Sequence, residues 1–198
     1  MKTIRLLTVL FVAALFVLSV HAQDSAGKPA SPNSAVGQSA GLLKQWNEIR
    51  RKLIAMSEDF PEDKYDFKAA PTARSFAERL IHAAAANYYF TNLALGQRAP
   101  GEEDPPRKQF KDKAAIVAYV KKSFADGAAA IKSKGDQGMS KFVVDPFAED
   151  NPANAGKNQI RLEDLAHSLV EHSGEAYGQL SVYYRVAGMI PPESRPKK

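Results

Sequence analysis

Apolar residues recur at helical spacing in the first half of the chain. One segment keeps a spacing of three and four over five positions: Leu42, Trp46, Ile49, Leu53 and Met56. This spacing predicts a helix with a single apolar face. The segment "LIHAAAANYYFTNLAL", residues 80–95, is apolar on nearly every side. Such a pattern is typical of a helix that neighbours cover on more than one face.

Two further helices are predicted in the second half. The third runs from about Lys111 to Lys134, and Gly135 closes it. The fourth runs from about Ile160 to Val186. Its apolar stripe repeats at three and four throughout, and comprises Leu162, Leu165, Leu169, His172, Ala176, Gln179, Tyr183 and Val186.

The connections between these segments complete the predicted architecture. Thr72, after Pro71, is the predicted N-cap of the second helix, and Gly96 is predicted to end that helix. The stretch before the fourth helix holds no convincing strand and exceeds about 20 residues, which is long enough to cross the bundle. We therefore predict an all-α protein, a four-helix bundle with a long crossover loop before the last helix.

The N-terminus has the features of an export signal. Basic residues precede an apolar run from Leu6 to Val20, and the small residue Ala22 follows. The run is too short for a membrane span, which needs about 20 apolar residues. We expect a signal peptide over residues 1–22, a flexible lead over 23–36, the bundle over 37–190 and a tail over 191–198. The protein would then be exported to the periplasm or outside the cell, with no membrane anchor after cleavage.

Composition excludes several chemistries. The chain contains no cysteine, so it has neither disulfides nor thiol chemistry of its own. The net charge is only +5, and no long basic run appears outside the C-terminal "RPKK". We therefore expect no nucleic-acid partner. Neither a glycine-rich phosphate loop nor a nucleophile elbow is present.

The histidines are the candidate functional residues. His172 lies on the apolar stripe of the fourth helix, where it is either a hydrogen-bonded core residue or a ligand. A ligand one turn later would lie on the same face, but that position is Ala176, which has no donor atom. His167 is off the stripe, which favours a solvated position. His82 follows Glu78 by one turn, and this glutamate could be its partner, a ligand or a helical salt-bridge neighbour.

Several longer stretches resemble a known family. They are "MSEDFPEDKYDFKAAPTARSF" from Met56, "RSFAERLIHAAAANYYF" from Arg74, "EHSGEAYGQLSVYYR" from Glu171 and "GMIPPES" from Gly188. Together they resemble the DinB-like (DinB/YfiT) four-helix superfamily, in particular its exported bacterial members. The resemblance covers essentially the whole chain after the predicted signal peptide.

The resemblance implies a divalent metal, zinc or nickel-like, held by three histidines. His82 matches the ligand of the second helix, and His172 matches the first of two ligands on the last helix. The third falls on Ala176, so we expect a weakened or lost metal site. Glu175 or Gln179 could substitute for the missing ligand. The resemblance also implies that the protein can form a homodimer.

Two functions follow from these observations. The first is an exported DinB-like domain with a degenerate metal site, acting as a binding or structural module for a small molecule that the sequence does not identify. The alternative is a metal-dependent hydrolase or transferase with a rearranged set of metal ligands. Some family members resemble metal-dependent transferases that act with low-molecular-weight thiols. No catalytic residue is predicted for either function.

Overall fold

The computed structural model describes residues 37–101, 104–148 and 158–196. The expected signal peptide and the lead before the bundle lie outside the described residues. The described part forms four long α-helices and two short strands: α1 Gln38–Asp59, α2 Phe76–Ala94, α3 Lys113–Met139, β1 Phe142–Val144, β2 Gln159–Arg161 and α4 Leu162–Val186. The predicted all-α bundle is confirmed. No helix in this part of the chain is long and apolar enough to cross a membrane.

The helices are not arranged in simple up-and-down order. Both α1 and α2 pack mainly against α3 and α4, so α1 lies diagonally across the bundle from α2, and α3 from α4. The connection between α3 and α4 therefore crosses the bundle, as predicted. The helices α2 and α4 are antiparallel, because Phe76 contacts Tyr183 near one end of α2 and His82 contacts His172 further along.

A single tryptophan organises the contact between α1 and α3. Trp46 is fully buried, with its ring centroid 5.6 Å from that of Phe90 and 5.7 Å from that of Phe124. Its indole N–H donates a hydrogen bond of 2.9 Å to the carbonyl oxygen of Phe124. The indole also lies directly against Gly127 of α3, where a Cβ atom would come within 2.2 Å of the ring. A residue without a side chain is thus needed for this close approach.

The start of α2 differs from the prediction. Its N-cap is Ser75, not Thr72. The Ser75 hydroxyl accepts a hydrogen bond of 3.2 Å from the backbone N–H of Glu78, whose carboxylate accepts one of 2.6 Å from the backbone N–H of Ser75. This reciprocal pair is a capping box. Serine followed three residues later by glutamate satisfies two backbone N–H donors at the start of the helix. Thr72 is not followed by a glutamate or glutamine at this spacing, so it cannot form the same reciprocal pair.

The prediction of no strand is also wrong. The strands β1 and β2 pair antiparallel, with Val143 opposite Ile160. Each strand is only three residues long, which is too short for a period-two pattern to be visible in the sequence. Because Gln159–Arg161 forms β2, α4 begins at Leu162 and not at Ile160. Phe142 and Val144 do not pack on the bundle but are 62% and 58% exposed.

The predicted apolar stripe of α4 agrees with the buried residues over the first half of the helix and disagrees with them near its C-terminal end. Gln179 and Val186 are exposed, whereas Leu180 and Tyr184 are buried. An α-helix has 3.6 residues per turn, so a strict repeat of alternating three and four drifts by about 20° per heptad relative to the buried face. The drift moves the buried face by one residue over the length of α4.

The residues after α4 pack against α1. Pro191 is buried, and a 3₁₀ turn follows over Pro192–Ser194. Two ion pairs hold this segment: Glu193 with Arg51 at 2.7 Å, and Arg195 with Asp59 at 2.6 Å. The segment expected to be a tail is therefore attached to the bundle as far as Arg195.

Candidate functional site: a histidine pair beside a small cavity

Two of the predicted site residues lie side by side. His82 comes from α2 and His172 from α4, and their ring centroids are 4.9 Å apart with the ring planes at 75°. Their side chains are 24% and 30% exposed, so the pair lies at the edge of the bundle interior. The antiparallel packing of α2 and α4 brings them together. His167 is exposed, in agreement with its helical phase.

The partner of His82 is a residue that the sequence did not indicate. The Nδ1 atom of His82 lies 2.9 and 3.1 Å from the two carboxylate oxygens of Asp104. A carboxylate can only accept, so Nδ1 carries the proton and donates it, which leaves Nε2 as the nitrogen for a ligand. The guanidinium of Arg74 also approaches Asp104, at 3.6 Å. Glu78, the partner considered from helical spacing, is instead part of the capping box of α2.

Asp104 could not be found from periodicity. It follows His82 by 22 residues and lies in the connection between α2 and α3, not one helical turn away. The only signal is its type: an acidic residue in a loop near a candidate histidine. Several acidic residues of the chain meet that description equally well.

His172 has a different environment from His82. Its Nε2 atom is buried and makes no hydrogen bond with any described residue. Its Nδ1 atom is 3.8 Å from a carboxylate oxygen of Glu175, too far for a hydrogen bond. Burial lowers the pKa of His172, the neighbouring His82 lowers it further, and the Glu175 carboxylate partly opposes both effects. The neutral imidazole is therefore favoured near neutral pH.

The position of a third metal ligand is filled by a methyl group. Ala176 is 2% exposed and contributes no donor atom. The two substitutes considered from the sequence, Glu175 and Gln179, are both exposed. Among the residues that the structure describes, no group of three or more His, Cys, Asp or Glu side chains is arranged to hold a metal ion. The donors present therefore do not fit the three-histidine metal site that the family resemblance implied.

A cavity of about 320 Å³ lies over the histidine pair. Both imidazoles and Asp104 lie at its polar side, together with Ser168. Its other walls are apolar and consist of Ala86, Tyr89, Phe147 and Leu169. The rings of Tyr89 and Phe147 are 5.0 Å apart, and the Tyr89 hydroxyl donates a hydrogen bond of 3.0 Å to the carbonyl oxygen of Gly101. This size and mixture of walls suits a small organic molecule with one polar end.

Comparison with known proteins agrees with the fold and with the resemblance seen in the sequence. Residues 45–180 match the family described as the DinB superfamily. The matched range includes His82, His172 and Ala176, and it covers the greater part of each of the four helices. A search of curated proteins found no match to the chain. Because the family match covers more than half of the sequence, the chain belongs to the DinB superfamily.

Proposed function

We propose that this protein is an exported DinB-superfamily binding module that takes up a small organic molecule in the cavity over His82 and His172. It holds a divalent metal weakly or not at all. The observation that carries the proposal is the buried methyl group of Ala176 at the position where a third donor would complete a metal site. Zinc sites that perform catalysis usually have three protein ligands and one open position. Two imidazoles fall short of that set.

The cavity supports the binding role independently of metal. Its apolar walls remove the body of a ligand from water, and burial of apolar surface contributes about 25 cal/mol per Å². The two imidazoles provide a polar end that fixes orientation. Ligand pockets in proteins have this combination of apolar walls and a few convergent polar groups.

The alternative, a metal-dependent hydrolase or transferase, also has an observation in its favour. The carboxylate of Asp104 holds the Nδ1 side of His82, and such carboxylate–histidine pairs commonly orient metal ligands. When bound, a metal would act as a Lewis acid or would lower the pKa of a bound water. Its ligands would be His82 and His172 with a third donor from water or substrate.

Zinc binding separates the two functions. We expect protein purified without chelator to contain far less than one equivalent of zinc, and calorimetric titration to show only weak binding. His172→Ala is the matched variant, because it removes one imidazole of the pair. One equivalent of tightly held zinc in the wild type, lost in His172→Ala, would overturn the proposal and favour the metal-dependent enzyme.

Export is a separate part of the proposal. Its support is the apolar run that follows two basic residues near the N-terminus, in residues 1–22. The intact mass of protein recovered from the periplasm or the medium tests it. A mass that begins at Gln23 is expected, whereas a mass that includes residues 1–22 would contradict cleavage.

A further inference from the structure

The polar side chains in the wall of the cavity have already donated their protons. The Nδ1–H of His82 points at the Asp104 carboxylate, whose two oxygens lie 2.9 and 3.1 Å from Nδ1. The hydroxyl of Ser168 donates a hydrogen bond of 3.0 Å to a backbone carbonyl oxygen one turn earlier in α4. The hydroxyl of Tyr89 donates one of 3.0 Å to a backbone carbonyl oxygen in the connection after α2. None of these side chains has a further proton for a ligand.

The polar atoms that remain available at the cavity are acceptors. No described residue hydrogen-bonds to Nε2 of His82, and this nitrogen of the neutral ring carries a lone pair. A carboxylate that accepts from Nδ1 also makes the opposite nitrogen of the imidazole more basic, and therefore a better acceptor. The oxygens of Asp104 and Ser168 likewise accept. A ligand that satisfies this wall must donate a hydrogen bond.

His172 does not change this balance. Its Nε2 atom is buried without a hydrogen-bond partner, so the protein itself encloses that nitrogen. Its Nδ1 atom lies 3.8 Å from a carboxylate oxygen of Glu175, and attraction to this negative charge favours the tautomer that is protonated at Nδ1. The imidazole lines the cavity but directs no proton into it.

The apolar walls suit an aromatic ring. The rings of Tyr89 and Phe147 are tilted by 41° with their centroids 5.0 Å apart, and Leu169 and Ala86 complete this side of the cavity. Aromatic rings prefer tilted or offset contacts at centroid distances of about 4.5–7 Å. A third ring, supplied by a ligand, can therefore pack against these two.

The charges at the cavity favour a neutral ligand. Among the described residues that line it, Asp104 is the only Asp, Glu, Lys or Arg. Its carboxylate repels an anion, and an anion without a proton cannot donate to His82. A cation gains little there, because Asp104 already accepts from His82 and lies 3.6 Å from the guanidinium of Arg74.

We infer that the cavity binds a neutral phenol, whose hydroxyl donates to Nε2 of His82 while its ring packs against Tyr89 and Phe147. The inference deepens the proposed binding function and rests on it. In this arrangement Asp104 is a positioning residue: it keeps the proton of His82 on Nδ1, so that Nε2 faces the ligand as an acceptor.

Phenol, toluene and anisole form a matched set of probes. Phenol and toluene have nearly the same shape, but only phenol donates a hydrogen bond, and anisole carries the oxygen without the proton. A purely apolar cavity would prefer toluene, because the phenol hydroxyl loses its hydrogen bonds to water on entry. We expect phenol to bind at least about three-fold more tightly than toluene, because it regains a hydrogen bond inside. Anisole should bind no more tightly than toluene. Titrations followed by the amide resonances in NMR spectra measure all three affinities, and the amides that shift should be those around the cavity.

Two variants test the acceptor. His82→Phe keeps a ring of similar size but removes Nε2, so phenol should lose its advantage over toluene. Asp104→Asn removes the carboxylate that fixes the tautomer of His82, so phenol should bind about three-fold more weakly or worse while toluene binding changes by less than about two-fold. A merely structural effect would weaken all three probes alike. Asp66→Asn is the matched control, because Asp66 also pairs with an arginine, Arg107, at 2.9 Å but does not line the cavity. It should behave like the wild type.

Folding of each variant is checked by Trp46 fluorescence, and the comparison of the three probes in the wild type needs no variant. Equal affinity for phenol and toluene, or anisole bound as tightly as phenol, would overturn the inference and leave the binding module standing. A phenol preference that survives in His82→Phe would also overturn it, and unchanged phenol binding in Asp104→Asn would overturn the role of that carboxylate. Binding of none of the three probes would overturn the proposed use of the cavity as well. The zinc titration decides the metal part of the proposed function separately.

Discussion

Replacement of Gly127 by alanine should severely disturb the packing of α1 against α3. The new Cβ atom would lie 2.2 Å from Cζ2 of Trp46, 2.8 Å from Cε2 and 2.9 Å from Cη2. Carbon atoms in contact are about 3.5 Å apart, so either the indole or the helix must move by about 1.3 Å (3.5 − 2.2). The indole has little freedom to do so, because it is fully buried between Phe90 and Phe124 and hydrogen-bonded through Nε1.

The expected loss of stability can be assembled from three contributions. Overpacking of a dense core costs about 1–3 kcal/mol, and this contact is short enough for the upper value. Breaking the hydrogen bond from Trp46 to the carbonyl oxygen of Phe124 adds about 1 kcal/mol. Alanine gains about 1 kcal/mol over glycine through helix propensity. The free energy of unfolding should therefore fall by about 3 kcal/mol, a large part of the total of about 5–15 kcal/mol typical of a domain.

Urea unfolding followed by fluorescence measures this change, because Trp46 is the only tryptophan of the chain. Gly178→Ala is the matched control: Gly178 lies in α4, and a Cβ atom added there would meet no side chain of another helix within 4 Å. The control should be stabilised by up to about 1 kcal/mol. In a Trp46→Leu background, followed by circular dichroism, Gly127→Ala should cost much less, because the clash is removed. A Gly127→Ala variant as stable as the control would refute the close contact.

Three other predictions concern the site and the C-terminal segment. Ala176→His should raise zinc affinity and make the melting temperature rise with added zinc, which corresponds to about 2.7 kcal/mol of added stability at 100 times the dissociation constant. No gain in zinc affinity would contradict the assigned geometry. In the Ala176→His background, Asp104→Asn should weaken zinc binding about ten-fold or more, because the histidine of α2 loses its orienting carboxylate; unchanged affinity in the same titration would exclude that role. Asp59→Asn should lower stability by about 0.5 kcal/mol at neutral pH, as for a partly exposed ion pair. The Arg195 guanidinium lowers the pKa of Asp59 in the folded state, so this contribution is present above the ordinary aspartate pKa of about 3.9 and is lost as the pH falls below it. Urea unfolding of the wild type and of Asp59→Asn between about pH 3 and pH 7 should show the difference in their free energies of unfolding shrink toward zero in acid. A difference that stays constant with pH would argue against the ion pair.

Much of the fold could be read from neighbours within a few residues. The five apolar positions of the first predicted helix are all buried in α1, and Gly96 adopts positive φ where α2 was predicted to end. Gly135 also adopts positive φ, but it kinks α3, which continues to Met139 and does not end there as predicted. Helical periodicity and backbone conformation depend on residues within three or four positions of each other, so both can be predicted from short stretches of sequence. The absence of a donor at Ala176 was equally visible in the sequence, since no fold can supply a ligand atom that a side chain lacks.

The tertiary structure decided the rest, because the remaining contacts join residues that no local pattern connects. Asp104 reaches His82 from a loop, and which acidic residue does so depends on the path of the connection between α2 and α3. The antiparallel packing of α2 and α4 brings the ring centroids of the two histidines within 4.9 Å of each other. The sequence by itself thus determined the helices, the family and the missing ligand. Only the packing of distant segments determined which residues surround the histidine pair.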